Sequence, residues 1–243
     1  MKKIFNFLLI LLVSSSALFA QKPYVEYWHN GQKATEGTLS DKGVRIGAWH
    51  WYYENGALQK VGEYNDKGLK VGEWKDYYAD GKLQKQEIFS GKGECKAFYE
   101  NGQLQYAYNV VDGLKQGEYN EYYVDGKIKI QATYKDNALD GYAIWYFSDG
   151  KKDMEGYLKM GKRDGNWTYY YRSNGQKGSE GAYSNDKEIG RWIYYYETSE
   201  KWREGDYRNG MREGLWNTYY ENGKLHHKGS YVNGEEEGVW QSW

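Results

Sequence analysis

The sequence is poor in residues that cross-link or break a fold, with one cysteine and one proline among 243 residues. Cys95 has no second thiol in the chain, so no internal disulfide forms even in a compartment that would permit one. A single proline beside 31 glycines excludes flexible Gly/Pro low complexity and implies glycines held at fixed positive-φ positions. Histidine is scarce, at four residues, and the net charge of −1 provides no electrostatic footprint for nucleic acid. No helical period runs through the chain after residue 20. What is abundant is aromatic: 19% of residues against 40% hydrophobic in total. Nearly half the apolar content is therefore Tyr, Trp and Phe, where an enzyme core would lean on Leu, Ile and Val.

The first twenty residues differ from the rest. Lys2 and Lys3 precede an apolar run from Leu8 to Val13, then Ser14, Ser15, Ser16 and Ala17, and a small-residue site at Ala20. This layout predicts a secretory signal peptide over 1–20 and export to the periplasm, the cell surface or the medium. Gln21, not cysteine, stands directly after Ala20, which argues against a lipid anchor. Removing Lys2 and Lys3 leaves 31 basic against 34 acidic residues, a net of −3.

The remainder, 21–243, is one repeat domain. Its marker is a glycine two residues before an aromatic: Gly47 with Trp49, Gly72 with Trp74, Gly117 with Tyr119, Gly165 with Trp167, Gly190 with Trp192, Gly214 with Trp216, and Gly238 with Trp240. Gly93 and Gly141 keep the register with Cys95 and Ala143 in the aromatic slot. Successive markers stand 25, 21, 24, 24, 24, 25, 24 and 24 residues apart, giving nine repeats and a C-terminal half repeat. These glycines and tryptophans are expected to be structural.

Three residues after the marker aromatic comes an aromatic pair such as Tyr52-Tyr53 or Tyr170-Tyr171, which favours strand. Asn-Gly or Asp-Gly follows, as at Asn55-Gly56 and Asp125-Gly126, and predicts a hairpin with a type I′ turn. A second strand then runs, for example, over Leu58–Tyr64 or Leu225–Tyr231. It often contains a glycine, Gly62, Gly205 or Gly229, expected to lie beneath an aromatic ring of the neighbouring strand. Asn137 stands where the return turn expects glycine, a residue tolerant of the left-handed conformation. The fold class that follows is all-β, an elongated, twisted single-layer antiparallel meander of about nine 24-residue hairpins. Alternation places the marker aromatic and the second member of the pair on one face and the first member on the other.

Catalytic chemistry finds little support, and no catalytic, cofactor or metal residues are assigned. His226 and His227 are adjacent on a strand, so alternation points them to opposite faces. Cys95 replaces a tryptophan and reads as a small buried apolar residue. Candidate ligand contacts are instead the departures from the repeat: Trp51, Trp145, Tyr169 and Tyr194, in a slot where other units carry Asp76, Glu121 or Thr218, together with Trp202.

The run of glycine–x–tryptophan, tyrosine pair, Asn-Gly and a second glycine–x–tyrosine strand resembles the MORN repeat, in the bacterial variant of proteins labelled YwqK-type antitoxins. The resemblance spans Pro23 to Trp243. It implies an extended sheet used for contact with protein or lipid, and the antitoxin label implies neutralising a toxin. The expected function is an exported, non-enzymatic scaffold for protein–protein interaction, with a protein the favoured partner. The alternative is an envelope- or glycan-binding module using exposed aromatics.

Overall fold

A computed structural model of the chain describes residues 21–243; the expected signal peptide lies outside them. Twenty strands form one open antiparallel sheet in which each strand bonds to its neighbours in the sequence, except where one strand is split in two. No helix occurs among the described residues. The order begins β1 (Lys22–Tyr27), β2 (Lys33–Leu39), β3 (Arg45–Tyr52) and β4 (Leu58–Tyr64), and closes with β20 (Glu235–Ser242). One aromatic strand is split into β11 (Ala138–Leu139) and β12 (Gly141–Tyr146), both paired to β10 (Ile128–Lys135). The expected all-β meander is the observed one.

Each unit carries two departures from a regular ladder. At the marker glycine the β2–β3 register steps from Glu36↔His50 to Thr38↔Ile46, so β3 carries two residues more than β2 across that step. Gly47 accommodates this at φ +64°, which an L side chain rarely adopts. At the other end the β3–β4 register passes from Trp51↔Lys60 to Tyr52↔Leu58, leaving Gln59 as a one-residue bulge. Bulges increase local right-handed twist, and their repetition twists the sheet along its whole length.

The two edges of the sheet close with different turns. After the aromatic pair, Gly56 N–H donates to the Tyr53 carbonyl and Tyr53 N–H to the Ala57 carbonyl, each at 2.9 Å. Of the Asn55-Gly56 pair only Gly56 has positive φ, +82°, and it follows the two central residues, Glu54 and Asn55. This is a type I turn closed by a glycine bulge, a correction of the type I′ turn expected there. The strand ends at Tyr52, so the second tyrosine of the pair opens the turn and does not continue the alternation. Asn55 Oδ1 accepts the Ala57 N–H at 3.0 Å, holding the asparagine in an Asx turn.

Type I′ turns do occur, at the return edge. Asp112-Gly113, Asp136-Asn137, Met160-Gly161, Asn185-Asp186, Asn209-Gly210 and Asn233-Gly234 all have two consecutive positive φ values. Asn137, at +72°, plays the left-handed part the sequence suggests.

Candidate functional site: the aromatic spine and its two faces

The buried side of the sheet is built from one repeated contact. Each marker tryptophan lays its indole over the glycine of the preceding strand: Trp49 over Gly37, Trp74 over Gly62, Trp167 over Gly156, Trp192 over Gly181, Trp216 over Gly205 and Trp240 over Gly229. A Cβ on any of these glycines would lie 2.1–2.4 Å from a ring atom, well inside van der Waals contact. The close approach expected for the strand glycines is thus present in all six. The units that lack tryptophan also lack the glycine: Ala143 faces Ala132, and Tyr119 pairs with Tyr108. In five of the six, the indole N–H also donates to the carbonyl that follows the glycine, those of Thr38, Glu63, Tyr157, Ala182 and Asp206.

Between consecutive tryptophans stand the slot residues proposed from sequence as ligand contacts. Trp51 lies 5.9 Å from Trp49 and 5.6 Å from Trp74; Trp145 lies 5.5 Å from Trp167. Tyr169 and Tyr194 link Trp167, Trp192 and Trp216 in the same manner, at 6.0–6.4 Å. Tyr64, Tyr183, Tyr207 and Tyr231 meet the tryptophans edge-on, the arrangement that ring quadrupoles favour. Arg45, Lys70, Arg163 and Arg212 lie over this row as cations above ring faces. The four slot residues are half-buried members of a spine with one edge open to solvent. Trp202 is a bulge residue, 37% exposed, with Arg203 stacked 4.4 Å above it.

The opposite face is polar and equally repetitive. In four units the first tyrosine of the pair donates to a glutamate of the preceding strand, which also holds a lysine three residues before it. The sets are Lys33–Glu36–Tyr52, Lys152–Glu155–Tyr170, Lys177–Glu180–Tyr195 and Lys201–Glu204–Tyr219. Burial raises the carboxyls of Glu155, Glu180 and Glu204, but the lysine and tyrosine bonds outweigh it and hold all three below their usual value. Burial and the adjoining Glu36 carboxylate push the Tyr52 phenol up to about 12.

The second tyrosine of each pair ties its unit to the next. Tyr53, Tyr78, Tyr99, Tyr123, Tyr171, Tyr196 and Tyr220 donate to the backbone carbonyls of Tyr77, Phe98, Tyr122, Tyr146, Tyr195, Tyr219 and Trp243, at 2.6–2.9 Å. Phe147 occupies this position in one unit with no hydroxyl to offer.

His226 and His227 overturn the expectation that they face apart. His226 is the bulge residue between Thr218↔His227 and Tyr219↔Leu225, which brings the two imidazoles to 3.7 Å between centroids. Tyr220 stacks on His226 at 4.0 Å, and His227 Nδ1 meets Ser242 Oγ at 2.8 Å. Among the described residues no three His, Cys, Asp or Glu side chains are grouped to hold a metal ion. Cys95 is buried, its Sγ accepting the Ile88 N–H at 3.2 Å, and burial raises its thiol. It occupies the small apolar slot read from the sequence.

Sequence reasoning passes over Tyr142, Tyr157 and Met160. All three are exposed, and all depart from the repeat at positions elsewhere filled mainly by polar or small residues. Comparing every unit at those positions would have singled them out.

Five segments, 45–66, 70–90, 92–112, 115–136 and 212–233, match the family model described as MORN repeat variant. No curated protein matches the chain. Among solved structures, the crystal structures of TcdB2-TccC3-Cdc42 and TcdB2-TccC3-TEV each align with 86% of this chain at 11% identity, with a TM-score of 0.22. The chain spans only 12% and 13% of those much longer chains. A similarity that weak carries neither fold nor function across.

Proposed function

We propose that the chain is an exported, non-enzymatic scaffold that binds a protein partner through its sheet, and that masking a toxin in the manner of an immunity protein is one form this takes. The observation that carries the reading is the division of labour among side chains. Consensus residues are engaged between units, the tryptophans over glycines and the tyrosines to carbonyls and to glutamates. Several large apolar residues left exposed, Tyr142, Tyr157, Met160 and Trp202 among them, are departures from that pattern, and exposed apolar groups on a rigid repeat surface mark sites of contact. The five segments that match the MORN repeat variant agree with a scaffold role.

The test is site-specific photocrosslinking in the exporting cell, with a photoreactive amino acid placed in turn at Trp51, Trp145, Tyr169, Tyr194 and Trp202. One discrete protein adduct at neighbouring positions is expected. Uniform absence of adducts while the protein is folded and exported would count against the scaffold reading. A glycan-binding reading rests on Trp202, exposed with Arg203 over its ring. Purified cell wall that sediments the chain, but not Trp202→Ala, would favour it.

A further inference from the structure

One unit is inverted with respect to the others. Where six units bury tryptophan over glycine, this one has Ala143 facing Ala132 on the spine side. Trp145 keeps its place in the spine, but two tyrosines emerge on the opposite, polar face: Tyr142 pairs across the ladder with Tyr157, their ring centroids 5.0 Å apart. The equivalent cross-strand pairs elsewhere are Ala48↔Glu63, Glu73↔Ile88, Glu94↔Asn109, Glu118↔Thr133, Asn166↔Ala182, Arg191↔Asp206 and Leu215↔Ser230. None contains an aromatic residue. Tyr142 and Tyr157 are 45% and 52% exposed, so they do not replace the missing core.

The turn that follows Tyr157 departs as well. The first position of the type I′ return turns is Asp112, Asp136, Asn185, Asn209 or Asn233, but here it is Met160, at φ +50° and 76% exposed. Left-handed backbone suits Asn and Asp and disfavours an unbranched apolar side chain, and the exposed thioether contributes nothing to a core. A strained residue that does not serve packing points to a role at the surface. Met160 and Tyr157 line an open hollow of about 570 Å³ together with Lys135, Asp136, Asp140 and Asp164. Tyr142 lines a second hollow, of about 340 Å³, that includes Glu118 and Ile144. The tyrosine pair stands as a ridge between the two. Four carboxylates against two lysines give the surface an acidic rim around an apolar centre, and exposed tyrosines in such a setting are typical binding anchors.

We infer that the Tyr142–Tyr157 ridge and its flanking hollows form the docking surface for an extended, basic protein segment that alternates apolar and cationic side chains. This rests on the scaffold reading and adds to it a surface on the face opposite the spine. Apolar side chains of the segment enter the hollows beside the tyrosines and Met160, and its lysines or arginines meet Asp136, Asp140, Asp164 and Glu118.

The test measures fluorescence anisotropy of three short labelled peptides on the intact protein: alternating Lys-Leu, alternating Glu-Leu and alternating Lys-Ser. Binding of Lys-Leu alone is expected, weakening as salt is added. Tyr157→Ser and Met160→Asn should each weaken it about tenfold or more. Met160→Asn separates binding from folding, because asparagine fits the left-handed turn: its melting temperature should rise while its affinity falls. Failure of Lys-Leu to bind, equal binding of Glu-Leu, or unchanged affinity in both variants would overturn the assignment. If spine photocrosslinks persist alongside such a failure, the scaffold reading survives and only this surface is lost; if both fail, both are withdrawn.

Discussion

Replacing Gly181 with alanine isolates the contact on which the buried face depends. The new Cβ would stand 2.2 Å from Trp192 Cδ2 and 2.3 Å from Cε2, whereas carbon atoms settle at about 3.5–4.0 Å. The indole must retreat by more than 1 Å, roughly the shortfall between those distances. Such a shift breaks its 3.2 Å bond to the Ala182 carbonyl and its edge contact with Tyr183 at 5.1 Å. Overpacking costs about 1–3 kcal/mol and the lost hydrogen bond about 1 kcal/mol, so about 3 kcal/mol is expected. Outright expulsion of the ring sets the ceiling at about 3–5 kcal/mol, the cost of removing a buried tryptophan. The decisive comparison is the double variant Gly181→Ala/Trp192→Ala, which recreates the Ala132–Ala143 arrangement already present in the chain. In the Trp192→Ala background, Gly181→Ala should be neutral or stabilising, since alanine is favoured over glycine in a strand by about 0.5–1 kcal/mol. Urea denaturation followed by far-ultraviolet circular dichroism gives the coupling energy. A cost below about 1 kcal/mol for Gly181→Ala alone, or the same cost in both backgrounds, would refute the reasoning.

Three further outcomes follow from the bonds between units. Phe147→Tyr supplies the missing link to the next strand and should stabilise by about 0.5–1.5 kcal/mol, a rise of about 2–4 °C in melting temperature per kcal/mol; no rise would mean the hydroxyl does not reach its carbonyl. Ser199 occupies the glycine position of its turn at φ +74°, so Ser199→Gly removes about 1–2 kcal/mol of strain, of which glycine's chain entropy offsets about 0.5–1. A small increase in urea midpoint is expected, and a decrease would sink the assignment. The carboxyls of Glu36, Glu155, Glu180 and Glu204 are lower in the fold than their usual 4.5, so the unfolded chain binds more protons there. Their stabilisation is complete above pH 4.5 and is lost as pH falls through the folded values. Glu204→Gln should therefore flatten the acid limb of the stability profile, and an unchanged limb would show that the triplet with Lys201 and Tyr219 adds little.

Most of the architecture is legible in the sequence because the period is strict and each glycine serves one conformation. Gly62 and Gly205 announce the rings above them since nothing else explains glycine inside an aromatic strand. The turns are less legible. Asn55-Gly56 suits both a type I′ turn and a type I turn with a glycine bulge, and the two differ only in where the strand stops. His226 and His227 mislead for a related reason: alternation holds in a regular ladder, and a one-residue bulge cancels it. The Lys–Glu–Tyr sets escape notice because lysine and glutamate are joined across that same bulge, while the tyrosine lies fifteen residues away, as in Tyr195 to Glu180. The slot residues Trp51, Trp145, Tyr169 and Tyr194 are visible as departures, but their place inside the spine depends on the spacing between neighbouring tryptophans, which sequence does not give. Tyr142 and Tyr157 fall on the face that a search for buried aromatics ignores.

The tyrosine-to-carbonyl links all run one way along the chain, from each donor to an acceptor 20 to 24 residues later. During synthesis, no unit can close its outer edge until the aromatic strand of its successor has emerged. Wherever the chain is delivered amino end first, the sheet therefore closes from that end, and each new hairpin completes the one before it.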